Sequence, residues 1–218
     1  MRLTTLLLLA ISTAAADAAT ITLPASPGPT ATVTLHPTGG GSIPLNLPGG
    51  YPTDGGPAFG KSGDVEGPHV LVGAPEAWWD GVAFVYDSTT GAHLHTLTPG
   101  TPLGGGASRP QLGYKVMLWE GLAFVTAPNA GYDGDFQNRG AVLIFDPATG
   151  AKLQTIWGPD GFYGMGLGLY TTGGKAYGTA ISRTTGAAVD FQLAIVPEPS
   201  SLLLAAIGLL AARRRSAF

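Results

Sequence analysis

GVAFVYDSTTGAHLHTL (residues 81–97) and GAVLIFDPATGAKLQTI (residues 140–156) stand 59 residues apart and spell the same local structure twice. In each, an apolar and aromatic run of strand length, AFVYD or VLIFD, leads into Asp-x-x-Thr-Gly. The Asp side chain caps such a turn, Pro147 presets φ in the second copy, and the closing Gly supplies the left-handed residue of a bulged hairpin. Polar and apolar residues then alternate, as along a returning strand. Upstream, HVLVGAP (69–75), LAFVTAP (122–128) and KAYGTAI (175–181) recur at a spacing of 53, and Gly60, Gly113 and Gly166 keep the same interval. The second copy gains six residues in the loop 129–139. The third copy carries no Asp-x-x-Thr-Gly and is expected to lack that turn.

Two strands before each turn and one after give three or four antiparallel strands per unit, the make-up of one propeller blade. The chain is therefore expected to be all-β, a small or incomplete β-propeller-like repeat domain. Its units run over residues 58–110, 111–161 and 162–195. Residues 19–57 hold three more strand-like runs, TITL, ATVTLHP and SIPLNL, with Thr38-Gly39-Gly40-Gly41 as a turn, and are an extra blade candidate. Another antiparallel β fold is the alternative. Phe59-Gly60 with Gly73-Ala74-Pro75 resembles the FG-GAP repeat of integrin-α-like β-propellers. The second copy departs from that pattern (Leu112-Gly113, Thr126-Ala127-Pro128), and the third departs further (Met165-Gly166, Thr179-Ala180-Ile181).

The two ends read differently from the middle. Residues 196–201, Val-Pro-Glu-Pro-Ser-Ser, run into an uncharged block, LLLAAIGLLAA (202–212), and then into Arg213, Arg214 and Arg215. As a helix that block reaches roughly 17 Å, short of a hydrocarbon core of about 30 Å, and flanking Ser and Arg side chains make up part of the gap. The arginines favour the cytoplasmic side, which leaves the body outside it. At the other end, Met1-Arg2, the apolar residues 6–11 and Ala16-Asp17-Ala18 read as a signal peptide over residues 1–18, an N-terminal signal helix. Cleavage is expected after Ala18, with Ala16 as the alternative.

Val196, Pro197, Glu198 and Pro199, the apolar block and the basic stop together resemble the PEP-CTERM sorting signal over residues 196–218. The resemblance implies recognition by an exosortase, a membrane-embedded processing enzyme that removes the tail. It also implies a transmembrane helix at 202–212, transient anchoring in the inner membrane, and a final place on the cell surface or outside it. Such proteins typically belong to bacteria that build an extracellular polymeric matrix. Signal peptidase and exosortase are the expected partners in export.

Composition narrows the body's role. Setting aside Arg2 and the three terminal arginines leaves 7 basic residues; setting aside Asp17 and Glu198 leaves 12 acidic ones, a balance of −5. Nucleic acid is not an expected partner of such a surface. With no cysteine, the chain has neither disulfides nor a thiol nucleophile.

No catalytic constellation stands out, and no catalytic residue is assigned. His93 and His95, two apart, are expected on one strand face, as solvent-facing residues rather than metal ligands. Gly164, Gly166 and Gly168 read as a strand with close backbone packing, since no helix follows to hold a phosphate. The inserted loop offers Asp133, Asp135 and Asn138 as a candidate Ca²⁺ site; a solvated turn explains them too and is preferred. No other cofactor is expected. Trp78 and Trp79, with Tyr132 and Phe136 in the equivalent loop, are candidates for stacking on sugar rings or on a protein partner. The expected function is non-enzymatic binding or structure in the envelope or matrix, with polysaccharide or another surface protein as partner. A secreted polysaccharide-acting hydrolase and a self-associating matrix protein are the rivals.

Overall fold

The computed structural model describes residues 18–50, 56, 58–104, 109–131 and 138–195. Residues 1–17 of the expected signal peptide and the tail from Val196 onward, with its transmembrane block, lie outside these residues. Among the described residues there is no helix; fourteen strands form four antiparallel sheets. Sheet I holds β1 (Thr20–Thr22), β2 (Val33–His36) and β3 (Ile43–Leu45). Sheet II holds β4 (Ser62–Glu66), β5 (His69–Ala74), β6 (Val82–Asp87) and β7 (His93–Leu97). Sheet III repeats that plan with β8 (Val116–Trp119), β9 (Leu122–Ala127), β10 (Ala141–Phe145) and β11 (Lys152–Trp157). Sheet IV holds β12 (Phe162–Thr172), β13 (Lys175–Ser182) and β14 (Ala188–Gln192). Strands follow chain order in every sheet, so every within-sheet connection is a hairpin.

The sheets stack face on face in sequence order, which explains the unbroken apolar runs. Alternate side chains of β5 and β6 point to opposite faces, and both faces are covered. Val70, Val72, Phe84 and Tyr86 pack on Val33, Leu35 and Leu45 of sheet I. Leu71, Ala83, Val85 and Leu97 pack on Val116, Leu118, Val125, Leu143 and Phe145 of sheet III. The other face of sheet III, with Met117, Phe124, Val142 and Ile144, meets Met165, Ala176 and Ala180 of sheet IV. Burying one such large side chain contributes about 1.5–3 kcal/mol. First strands line up with first strands, β1 beside β4, β4 beside β8 and β8 beside β12. Among the described residues the stack is open: the substantial packing runs only between sheets adjacent in sequence.

The repeated glycines earn their spacing at these interfaces. Gly60, Gly113 and Gly166 all have positive φ, at 79°, 94° and 95°. A Cβ on Gly113 would run into Val82 O, and one on Gly166 would lie 2.5 Å from Thr126 Cβ. Only glycine accepts both the conformation and the approach.

Polar links across the interfaces also step by about one repeat. Asp64 Oδ2 accepts the N–H of Leu118 (2.8 Å). Glu66 accepts the N–H groups of Glu120 and Gly121 (3.3 and 3.2 Å). Ser62 Oγ donates to Gly113 O (3.1 Å), and His95 Nε2 meets Ala148 O at 2.9 Å.

Asp87 accepts from Thr89 N, Thr90 N and Thr90 Oγ1 at 2.7–2.9 Å, and Asp146 accepts from Ala148 N and Thr149 Oγ1 at 2.8 Å. Gly91 and Gly150 close these turns with φ of 69° and 74°. The third unit makes the same turn, contrary to the sequence expectation. Gly186 N donates to Ser182 O and Ser182 N to Ala187 O, both at 2.9 Å, and Gly186 has φ 69°. Ser182 stands in for Asp, its Oγ accepting Thr185 N–H at 3.3 Å.

A second correction concerns the histidine pair. In β7 the register against β6 shifts, so His93 lies opposite Tyr86 and His95 opposite Val85, with Leu94 as the bulged residue. His93 packs its ring edge-on to Phe84 and Tyr86, toward sheet I. His95 reaches Ala148 in sheet III. The two imidazoles therefore face opposite sides and do not converge on one metal. The Gly164–Gly168 stretch is part of strand β12, as read from the sequence, with Gly166 against Thr126 and Gly168 against Thr179.

Candidate functional site: an aromatic groove

The β5–β6 connection, residues 75–81, projects Trp78 and Trp79 from the end of sheet II. They are 47% and 59% exposed, the largest exposures among the big apolar side chains described. Trp78 sits at φ 53°, a left-handed backbone that bulky residues rarely adopt and that costs on the order of 1–3 kcal/mol. Just after them, Gly81 (φ 81°) bridges in parallel to Leu112, where a Cβ would strike backbone. That tie clamps the loop to the next unit. Sheet III repeats it with Gly140 and Met165.

Together with Asp80, Val82 and the segment Thr98, Pro99, Gly100, Thr101 and Pro102, the tryptophans line a groove of about 340 Å³. Its far wall is held from below: Lys152 Nζ donates to Pro99 O. Arg109 lies 5.4 Å from the centroid of the Trp79 ring, over its face. Asp80 supplies the carboxylate, half-buried, its pKa raised above the ordinary value by desolvation and partly offset by the Leu103 N–H it accepts. The groove thus combines aromatic faces, a proline-lined wall, one carboxylate acceptor and one guanidinium.

A second cleft of about 310 Å³ opens among turns of sheets II and III, lined by Glu66, Pro68, His69, Leu118, Pro147 and Ala148. The hairpin carboxylates Asp87 and Asp146 both feel the His69 charge, though their pKa values are lowered first by hydrogen bonds from Thr90 and Thr149 respectively.

The structure keeps together Trp78 and Trp79, the aromatic pair singled out in the sequence. Sequence reasoning did not single out Asp80, Arg109 or Lys152. The run Trp-Trp-Asp was a signal for the first; nothing local marked the other two. Tyr132, Phe136, Asp133 and Asp135 fall outside the described residues. Asn138, third of the candidate calcium ligands, is described: φ is 49°, its carbonyl accepts Gly164 N–H, and its Oδ1 is buried with no hydrogen-bond partner among the described residues. Among the described residues no group of three His, Asp or Glu side chains converges as a metal site.

The tail carries a short match to a known sorting motif. Residues 196–216 match the PEP-CTERM protein-sorting motif. The PEP-CTERM stretch contains Pro197, Glu198 and Pro199 at its start and Arg213, Arg214 and Arg215 near its end. It implies an exported protein, recognised by an exosortase and held at the membrane by its C-terminus before processing. No curated protein matches the chain. No helix among the described residues is long and apolar enough to cross a membrane.

Proposed function

We propose that this is an exported, non-enzymatic envelope or extracellular-matrix protein, an incomplete β-propeller whose Trp78–Trp79 groove binds polysaccharide. The PEP-CTERM motif supports the export half of that reading. The observation that carries the binding half is the pair of adjacent, half-exposed tryptophans along an apolar groove with a carboxylate at its edge. The C–H face of a pyranose ring is apolar and its rim is hydroxylated. An indole plane with a nearby acceptor and donor matches both, at low cost in side-chain entropy. Strain at Trp78 fits a binding role, because backbone outliers concentrate where a side chain must be aimed.

A secreted hydrolase draws on the same groove through Asp80, the carboxylate in its described lining with raised proton affinity. Hydrolysis needs a second carboxylate roughly 5–10 Å away. Affinity electrophoresis of the full chain through gels containing neutral or uronic-acid polysaccharides tests binding. We expect retardation that Trp79→Ala abolishes while circular dichroism stays unchanged. Unretarded mobility on every polysaccharide would overturn the reading. Release of reducing ends, lost in Asp80→Asn, would transfer it to the hydrolase.

A further inference from the structure

Each interface in the stack joins the forward face of one sheet to the rear face of the next. On the forward face of sheet II, Leu71 is fully buried by sheet III, and Gly73 lies against Gly113. One repeat later, Phe124 and Thr126 are fully buried by sheet IV, with Thr126 against Gly166. One repeat later again, the same two positions are Tyr177 and Thr179, and no sheet follows among the described residues. Their neighbours on that face are Tyr170, Asp190 and Gln192. Tyr170 and Tyr177 stack at 5.5 Å and 14°, and Thr179 Oγ1 donates to Asp190 Oδ1 at 2.6 Å.

At the other end no sheet covers the rear face of sheet I among the described residues. Ile21, Leu35 and Ile43 point forward into the core, so Thr22, Thr34, Pro44 and His36 point back. His36 is fixed there by Thr22 Oγ1 and Ser42 Oγ, both 3.1 Å from its ring nitrogens.

We infer that these two end faces are complementary halves of one interface, and that the forward face of sheet IV docks the rear face of sheet I of a second copy of this chain, head to tail. The geometry is that of the three interfaces already inside the chain. The chemistry is matched: a stacked tyrosine pair with Asp190 and Gln192 meets a threonine and histidine surface. A forward face meeting a rear face is heterologous, so copies add in a closed ring or an open row. This inference stands apart from the polysaccharide groove, which lies on neither face.

The absence of cysteine makes the test direct. Thr20→Cys places one thiol on β1, the first strand of the rear face, and Thr179→Cys places one on the central strand of the forward face, the pairing that Gly73 with Gly113 and Thr126 with Gly166 make inside the chain. The two full-length variants, each in mild detergent and then mixed, are oxidised and separated without reductant. We expect a disulfide-linked dimer only in the mixture, with mass spectrometry locating the bond between residues 20 and 179. Dimers in either variant alone would mean like face on like face and overturn the proposal. So would monomers throughout, the behaviour of polar end caps. Retained strand content by circular dichroism in both variants excludes misfolding as the cause. As a second measure, Tyr177→Arg is expected to abolish cross-linking in the mixed sample; an undiminished yield would also overturn it.

Discussion

Asp64 Oδ2 accepts the backbone N–H of Leu118 at 2.8 Å, while its other oxygen accepts Val65 N–H at 2.9 Å. One carboxylate thereby ties β4 of sheet II to β8 of sheet III. Burial dominates its titration and raises its pKa above 3.8, the two N–H groups opposing. The folded state then binds this proton more tightly than the unfolded chain. The contribution of Asp64 to stability is greatest below 3.8 and falls as pH rises through the folded value. Relative to Asp64→Asn, the wild type is expected to gain stability as pH is lowered across that window. Urea midpoints of both proteins from pH 7 to pH 3 check it; a difference that does not move with pH would refute it.

The hairpin carboxylates behave in the opposite sense. Asp87 is lowered chiefly by the Thr90 N–H and hydroxyl, and Asp146 chiefly by the Thr149 hydroxyl. Their stabilisation is present above 3.8 and is lost as pH falls through the lowered folded values. Asp87→Asn combined with Asp146→Asn is expected to flatten the acid side of the stability profile. Both groups are only partly buried, so the effect at pH 7 is modest. Denaturant titrations at pH 2.5–6 measure it.

Ser182 suggests a gain rather than a loss. It caps the third turn with one N–H contact at 3.3 Å where Asp87 accepts two shorter N–H bonds and a hydroxyl. Ser182→Asp is expected to stabilise by about 0.5–1 kcal/mol. An unchanged or lowered urea midpoint would mean that the serine hydroxyl already suffices.

Glycine substitutions should sort by surroundings rather than by φ alone. Gly113→Ala and Gly166→Ala combine positive φ with collision at a sheet interface, and a cost of about 2–4 kcal/mol is expected. Gly121, at φ 74° with nothing within 4 Å of a built Cβ, should cost only about 1 kcal/mol as alanine. Equal losses at all three positions would argue against tight apposition of the sheets.

For the tail, replacing Pro197, Glu198 and Pro199 together by alanine is expected to block removal of the sorting signal. Intact mass of the membrane fraction, in a host with the sorting enzyme, should then retain Arg213, Arg214 and Arg215. Normal trimming of this variant would show that recognition lies elsewhere in residues 196–216.

Much of the architecture could be read from the chain because its turns are chemically explicit. Asp-x-x-Thr-Gly and the glycines at intervals of 53 are backbone requirements, and such requirements leave fixed residue types. The third turn escaped notice because a serine hydroxyl does the carboxylate's work. The opposed directions of His93 and His95 escaped notice because a one-residue bulge at Leu94 leaves no trace in an alternating pattern. At the groove, Trp78 and Trp79 were visible as a pair, being large side chains in a turn. Arg109 and Lys152 were not, since the first crosses a linker and the second arrives from a repeat away, where its ammonium meets Pro99.

Because each sheet leans mainly on its immediate neighbours, the body has no keystone. Whole units can be gained or lost at either end without redesigning the rest, and unfolding can start at an end and stop part-way. A protein built so would fray under load sheet by sheet, and lengthen, before its middle gave way.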